Sequence, residues 1–253
     1  MSKTGPSRPN LWTLGGLILF LAAWEAAVQA GFLPRTLVPP PSAVPNALLS
    51  ELRNGFWLAS VQASLGHYTL GLVLGSLGGV VFGAASALSP RFDAATSGIA
   101  RLLRPIPPLA WIPFALIWFG ATEGAAAFII AIGVFWVNNF ATYAAVRAID
   151  PGLIELADAF GQGGLLPRLF KIILPGAAPG MLAGLRSGLG QGWMAVVAAE
   201  LFGVEGLGQR MSDAAGLLAT DVLIVYMLTI ALLYALSDAA FQLMSRRVLA
   251  WTP

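Results

Sequence analysis

The chain has no cysteine among its 253 residues. Disulfides, thiolate catalysis and cysteine-ligated metals are therefore excluded. It has one histidine, His67, so a histidine metal cluster is excluded as well. Charge is scarce too. Only 10% of residues are charged, against about 25% in soluble domains. Lysine occurs twice, at Lys3 and Lys171, and neither lies in a Gly-x-x-x-x-Gly-Lys loop, so no nucleotide cradle is present. The formal net charge is +2, too small to suggest a nucleic acid partner.

What is abundant is oil. Hydrophobic residues make up 57% of the chain, and the charges leave long gaps. A helix that spans a bilayer needs roughly 20 mostly apolar residues. The gaps predict an all-α integral membrane protein, one domain over 1–253, with six spans near 11–32, 61–88, 105–121, 124–146, 176–199 and 222–245. Phe56–Ser64 reads as an interfacial lead-in to the second span. With the N-terminus inside, ten Lys and Arg fall on inside segments and three, Arg35, Arg53 and Arg210, outside. Both termini and residues 148–175 are therefore expected in the cytoplasm. Lys3 and Arg8 before an apolar run ending "VQA" also fit a cleaved leader, but losing that span would reverse the charge logic.

Two of the spans have internal punctuation. Gly71, Gly75, Gly79 and Gly83 recur every four residues, which lines them along one helix face and lets another backbone approach closely. The row is read as helix packing, with a sliding surface as the sharper alternative. The third span opens "RPIPPLAWIP". Pro105, Pro107, Pro108 and Pro113 remove backbone donors, so this stretch cannot begin as a regular helix. It is either a buried kink or part of a pathway lining.

One polar segment interrupts the oil: "ELADAFGQGGLLPRLFKIILP", residues 155–175. Asp150 reads as an N-cap with Pro151 at the first helical position. Leu153, Leu156 and Phe160 share one face, and Gly161 suits a helix stop. Pro167 can start a second short helix that ends by Pro175. Two such helices are marginal alone in water and need a surface, either the bilayer or a groove on a soluble partner.

This segment resembles the "EAA" loop of permease subunits of bacterial ATP-binding-cassette (ABC) importers. Glu155, Ala157, Gly161, Ile172, Leu174 and Pro175 match that pattern, while Leu156 replaces its first alanine and the spacer is a residue longer. "LVPPPSAVPNAL", "RPIPPLAWIPFALIWFG", "GLRSGLGQGWMAVVAAEL", "GLG" at 206–208 and "LLATD" extend the resemblance to the nitrate/sulfonate/taurine subgroup over nearly the whole chain. The resemblance implies a six-helix, type I importer-like permease fold in the bacterial inner membrane. It also implies that a second copy of the chain, two ABC ATPase subunits and a periplasmic binding protein complete the importer. ATP and Mg would bind the ATPase; this chain would hold no cofactor and hydrolyse nothing. Glu155, Ala157, Asp158, Ala159, Phe160, Gly161 and Pro175 would couple it to that motor. The cargo would be taurine or another sulfonate, with nitrate, bicarbonate or a small heterocycle as alternatives. A self-contained secondary transporter or channel is the competing class, and the absence of an internal repeat speaks against it.

Other residues keep two readings each. Arg186 either snorkels to the interface or attracts an anionic solute. Glu200 and Glu205 are either solvated loop charges at the outer end of the fifth span or a contact with the binding protein or an outer gate. Pro107, Pro108, Trp111, Asn138, Asn139, Gln191 and Trp193 are pathway candidates, with interhelical hydrogen bonding and packing as the alternative. His67 is expected to be packed or interfacial, and Glu25 and Asp238 to be interfacial or paired.

Overall fold

A computed structural model of the chain describes residues 11–161 and 164–249, and the described residues contain helices and no strand. Helix α1 covers Leu11–Gln29, α2 Val44–Arg53, α3 Phe56–Leu88 and α4 Pro90–Leu103. After a proline break come α5 (Ile112–Phe119), α6 (Glu123–Arg147) and α7 (Pro151–Ala159). A short α8 (Leu165–Arg168) precedes α9 (Leu174–Glu200), α10 (Leu207–Gly216) and α11 (Thr220–Val248). By packing, the chain falls into two compact units, Met1–Ala59 with Arg210–Leu228, and Ser60–Gln209 with Thr229–Pro253.

Among the described residues, α1, α3, α6 and α11 are each long and apolar enough to cross a membrane. These helices run close to four of the expected spans. The second needs no separate lead-in, because α3 is continuous from Phe56 for 33 residues. At 1.5 Å per residue it is about 50 Å long, more than a hydrocarbon core of about 30 Å requires. The expected third span, 105–121, is not one helix. Helix α4 ends at Leu103, a 3₁₀ turn covers Pro108–Trp111, and α5 has only eight residues. Together α4 and the 108–119 stretch bend by 95°. The physical reason is the proline run, which withholds the donors a continuous helix needs. Pro113 is tolerated because it falls in the first turn of α5.

The fifth span also differs. Pro175 does not separate it from the polar segment. Instead Leu169–Ile173 widens into a π-turn, and helical backbone runs on from α8 through Pro175 into α9. A π-turn is a usual way to carry a helix past a missing donor. At 27 residues α9 is long enough to span, but with its glycines, Arg186 and Gln191 it is not among the helices apolar enough to do so by composition.

In the larger unit, helix α6 receives two neighbours along glycine rows. Gly71, Gly75, Gly79 and Gly83 of α3 are all buried. A Cβ at Gly71 would come 2.7 Å from the Ala127 carbonyl oxygen, and one at Gly75 or Gly79 2.5 Å from that of Ala131 or Phe135. The second row, Gly180, Gly184, Gly188 and Gly192 of α9, lies against Ala145, Ala141, Asn138 and Val134. It has the same four-residue period, which the sequence reading did not use. The two rows meet α6 at Val134 and Asn138. Apolar side chains then fill the ends: Ile112, Ala115, Ile129, Ala199 and Val204 at one, Ala87, Val146, Ile173 and Ala177 at the other.

The smaller unit is tied by polar contacts. Glu25 of α1 accepts hydrogen bonds from Gln29 at 2.9 Å and from the Ser42 hydroxyl at 2.9 Å and amide at 3.1 Å. Buried Glu51 of α2 accepts from Arg210 at 2.9 Å and from the Tyr226 hydroxyl at 2.6 Å. Burial disfavours the Arg210 charge. Its bonds with Glu51 and Tyr226 more than offset this, and its pKa rises above the ordinary arginine value.

Candidate functional site

The polar segment forms as a capped short helix. The Asp150 carboxylate accepts from the Gly152 amide at 2.8 Å, and α7 starts at Pro151. It stops at Gly161, whose φ of +73° belongs to the left-handed region where glycine costs nothing. Ala157 is buried, whereas Glu155, Ala159 and Gly161 are exposed. Leu153, Leu156 and Phe160 are exposed as well, Phe160 at 76%. The side chain of Asp158, and Gln162 and Gly163 altogether, lie outside the described residues. The segment thus offers an apolar face, Leu153, Leu156 and Phe160, that nothing among the described residues covers.

A second feature is a cavity of about 530 Å³ between the proline break, α6 and α9. Pro107, Pro108 and Gln191 line it, with Arg104, Gly133, Trp136 and Phe140. The other pathway candidates lie elsewhere. Asn138 is buried and donates to Ser76 at 3.0 Å; Asn139 is buried beside Gly83 and reaches a separate cavity with Ser86 and Asp93. Trp193 is buried, stacks on Tyr68 at 4.3 Å between ring centres, and donates to Ser237 at 3.4 Å. The ring nitrogen of Trp111 is buried without a partner among the described residues.

Two charged residues have partners that the sequence did not reveal. Arg186 makes a two-pronged contact with Asp238, at 2.6 Å and 2.9 Å, and Gln242 donates to the same carboxylate at 2.7 Å. Neither snorkelling alone nor a free cation describes it. The pair is 52 residues apart in sequence, with no spacing signal to join the two halves. Glu200 is fully buried, which overturns its reading as a solvated loop charge. It accepts from the Ser64 hydroxyl at 2.6 Å and the Gly208 amide, and lies 2.5 Å from the His67 Nε2. The Leu207 amide in turn donates to Ser64 at 2.9 Å. Gly206 has no Cβ because the Glu200 carboxyl occupies that space. This cluster fastens the start of α10 to α3 and to the end of α9.

Comparison with known proteins bears directly on these features. Residues 75–250 match the family described as "Binding-protein-dependent transport system inner membrane component". The chain is 34% identical over 251 residues to the taurine transport system permease protein TauC of Escherichia coli (strain K12), covering 97% of this chain and 91% of that one. It is 32% identical over 216 residues to the bicarbonate transport system permease protein CmpB of Synechocystis sp. (strain ATCC 27184 / PCC 6803 / Kazusa), covering 79% and 74%. Among solved structures, an inward-facing conformation of the MetNI methionine ABC transporter superposes with a TM-score of 0.64 at 22% identity. That match covers 76% of this chain and 95% of the other, and it carries the fold alone. The long apolar helices, the family match over residues 75–250 and the shared architecture lead to one identification: the chain belongs to the binding-protein-dependent transport inner membrane components, the membrane permease subunits of ABC importers.

Proposed function

We propose that this chain forms, with a second copy of itself, the membrane path of an importer for a small solute carrying an oxyanion group, taurine or another sulfonate. Two relatives support the cargo class, since their names specify taurine and bicarbonate. An ATPase docks at α7, and a binding protein delivers solute on the opposite side of the membrane. ATP and Mg sit in the ATPase.

The observation that carries this reading is the uncovered face of α7. Leu153, Leu156 and Phe160 are exposed on a nine-residue helix too short to persist alone in water. A helix laid into a partner's groove uses such spacing. The continuous backbone from α8 through the π-turn into α9 supports the coupling mechanism. A push on the polar segment travels along hydrogen-bonded helix to Glu200, where the Ser64 and Gly208 contacts hold the far end. Alternating access then follows from the motors closing and reopening.

Co-purification tests this. With the ATPase co-expressed, Leu156→Asp and Phe160→Asp should each lower its recovery by at least about tenfold, the loss expected for a central interface residue. Exposed Arg91, changed to Gln, should not. Recovery at the wild-type level from both α7 variants would refute the docking assignment.

A further inference from the structure

The cavity beside the proline break has an unusual lining. Among the described residues Arg104 is its one charged wall residue, and no acid lines it. Arg104 follows α4 directly, and Pro105 stops the helix there, so the cation is fixed at a helix C-terminus. Its guanidinium lies 4.3 Å from the centre of the Phe140 ring. A guanidinium held over a ring face keeps its in-plane donors free for another ligand. Among the described residues no carboxylate pairs with it.

The opposite wall supplies a neutral amide, Gln191 of α9. Gly133 keeps the space open. A Cβ there would lie 3.0 Å from Pro108 and 3.7 Å from the Gln191 side-chain nitrogen. Trp136 and Phe140 add aromatic surface. One cation, one amide, aromatic walls and no acid suit a small molecule with an oxyanion head and a short carbon tail. Planar donors on Arg match two oxygens of such a head at once. A volume of about 530 Å³ leaves room for the solute and some of its water.

We infer that Arg104 and Gln191 form a station inside the permease where the oxyanion head of the cargo rests during passage. The station rests on the anionic-cargo reading above, and its test has an arm that does not need transport. Because the chain lacks cysteine, Gln191→Cys is a unique thiol. It is reacted with two methanethiosulfonate reagents of similar size, one ending in a sulfonate and one in a trimethylammonium. Each rate is divided by the rate at an exposed control, Phe202→Cys. The station predicts a preference of about tenfold for the sulfonate reagent, from focusing of anions at one cation. In Arg104→Gln the preference should vanish. Trp136→Cys provides a second reporter should Gln191→Cys fold poorly. Equal normalised rates, or a preference for the ammonium reagent, would overturn the inference.

The second arm uses the importer assembled with its ATPase and binding protein in proteoliposomes, with labelled taurine and ethanesulfonate as probes. Arg104→Gln should lower solute moved per ATP hydrolysed by about tenfold, and Arg104→Lys by less, because the charge survives without the planar fork. Uptake by Arg104→Gln equal to wild type would also overturn the station. Should the wild-type importer take up neither probe, the sulfonate reading fails, while the thiol rates still judge the cavity.

Discussion

At the scale of single residues, Glu200 is the most consequential side chain outside the cavity. It is fully buried, and Ser64, His67 and the Gly208 amide converge on it. Removing the carboxyl strands these partners in a dry site, at about 1–3 kcal/mol for each group left without a bond. Glu200→Ala should therefore lower the thermal unfolding temperature in detergent clearly. Glu200→Gln keeps one acceptor oxygen and should cost less. A Glu200→Ala melting curve that overlays the wild type would show that the cluster does not hold Leu207 and Gly208 to α3 and α9. None of this was legible in the sequence. Glu200 looks like a loop acid there, because its partners lie 133 and 136 residues away at His67 and Ser64 and show no spacing pattern. The same is true of Arg186 and Asp238. Both stood out as charges in apolar runs, yet only the fold reveals that they answer each other.

At the scale of elements, periodicity made much of the structure readable. Four glycines at a spacing of four define a face, and a helix has only one way to use a flat face in lipid. The packing can be tested with a matched pair on α3. A methyl at Gly75 would meet the Ala131 carbonyl oxygen at 2.5 Å, whereas Gly66 has nothing within 4 Å. Gly75→Ala must push α3 off α6 and should destabilise the protein by about 1–3 kcal/mol, the usual cost of overpacking. Gly66→Ala should be neutral or stabilising by up to about 1 kcal/mol, through helix propensity. Thermal unfolding of both variants in the same detergent reads the contrast. Equal shifts would mean that the row is not a contact face. The second row on α9 was no less periodic, but Gly190 falls outside its phase and blurs it. The π-turn was not legible, since Pro175 taken alone signals a break. What keeps the helix going is the wider turn before it, which has no residue signature of its own.

At the scale of the whole molecule, composition places the chain in lipid, and charge asymmetry predicts which side each loop faces. Helix α9 is where those two arguments are thinnest. Its glycines and polar residues lower its hydropathy, while its 27 residues give about 40 Å of length, enough for a bilayer. Phe160 and Phe202 flank the α8–α9 run, and both are exposed. If α9 crosses the membrane, cysteines at these two positions must lie on opposite sides. The loop charges say which side is which: Phe160→Cys should be cytoplasmic and Phe202→Cys external. A maleimide that cannot cross membranes should then label Phe202→Cys in intact cells and Phe160→Cys only in inside-out vesicles. The cysteine-free background makes each label unambiguous. Labelling of both from the same side would remove α9 from the set of spans. It would also part α7, the helix proposed to dock the ATPase, from the Glu200 cluster, because the backbone joining them would no longer connect one face of the membrane to the other.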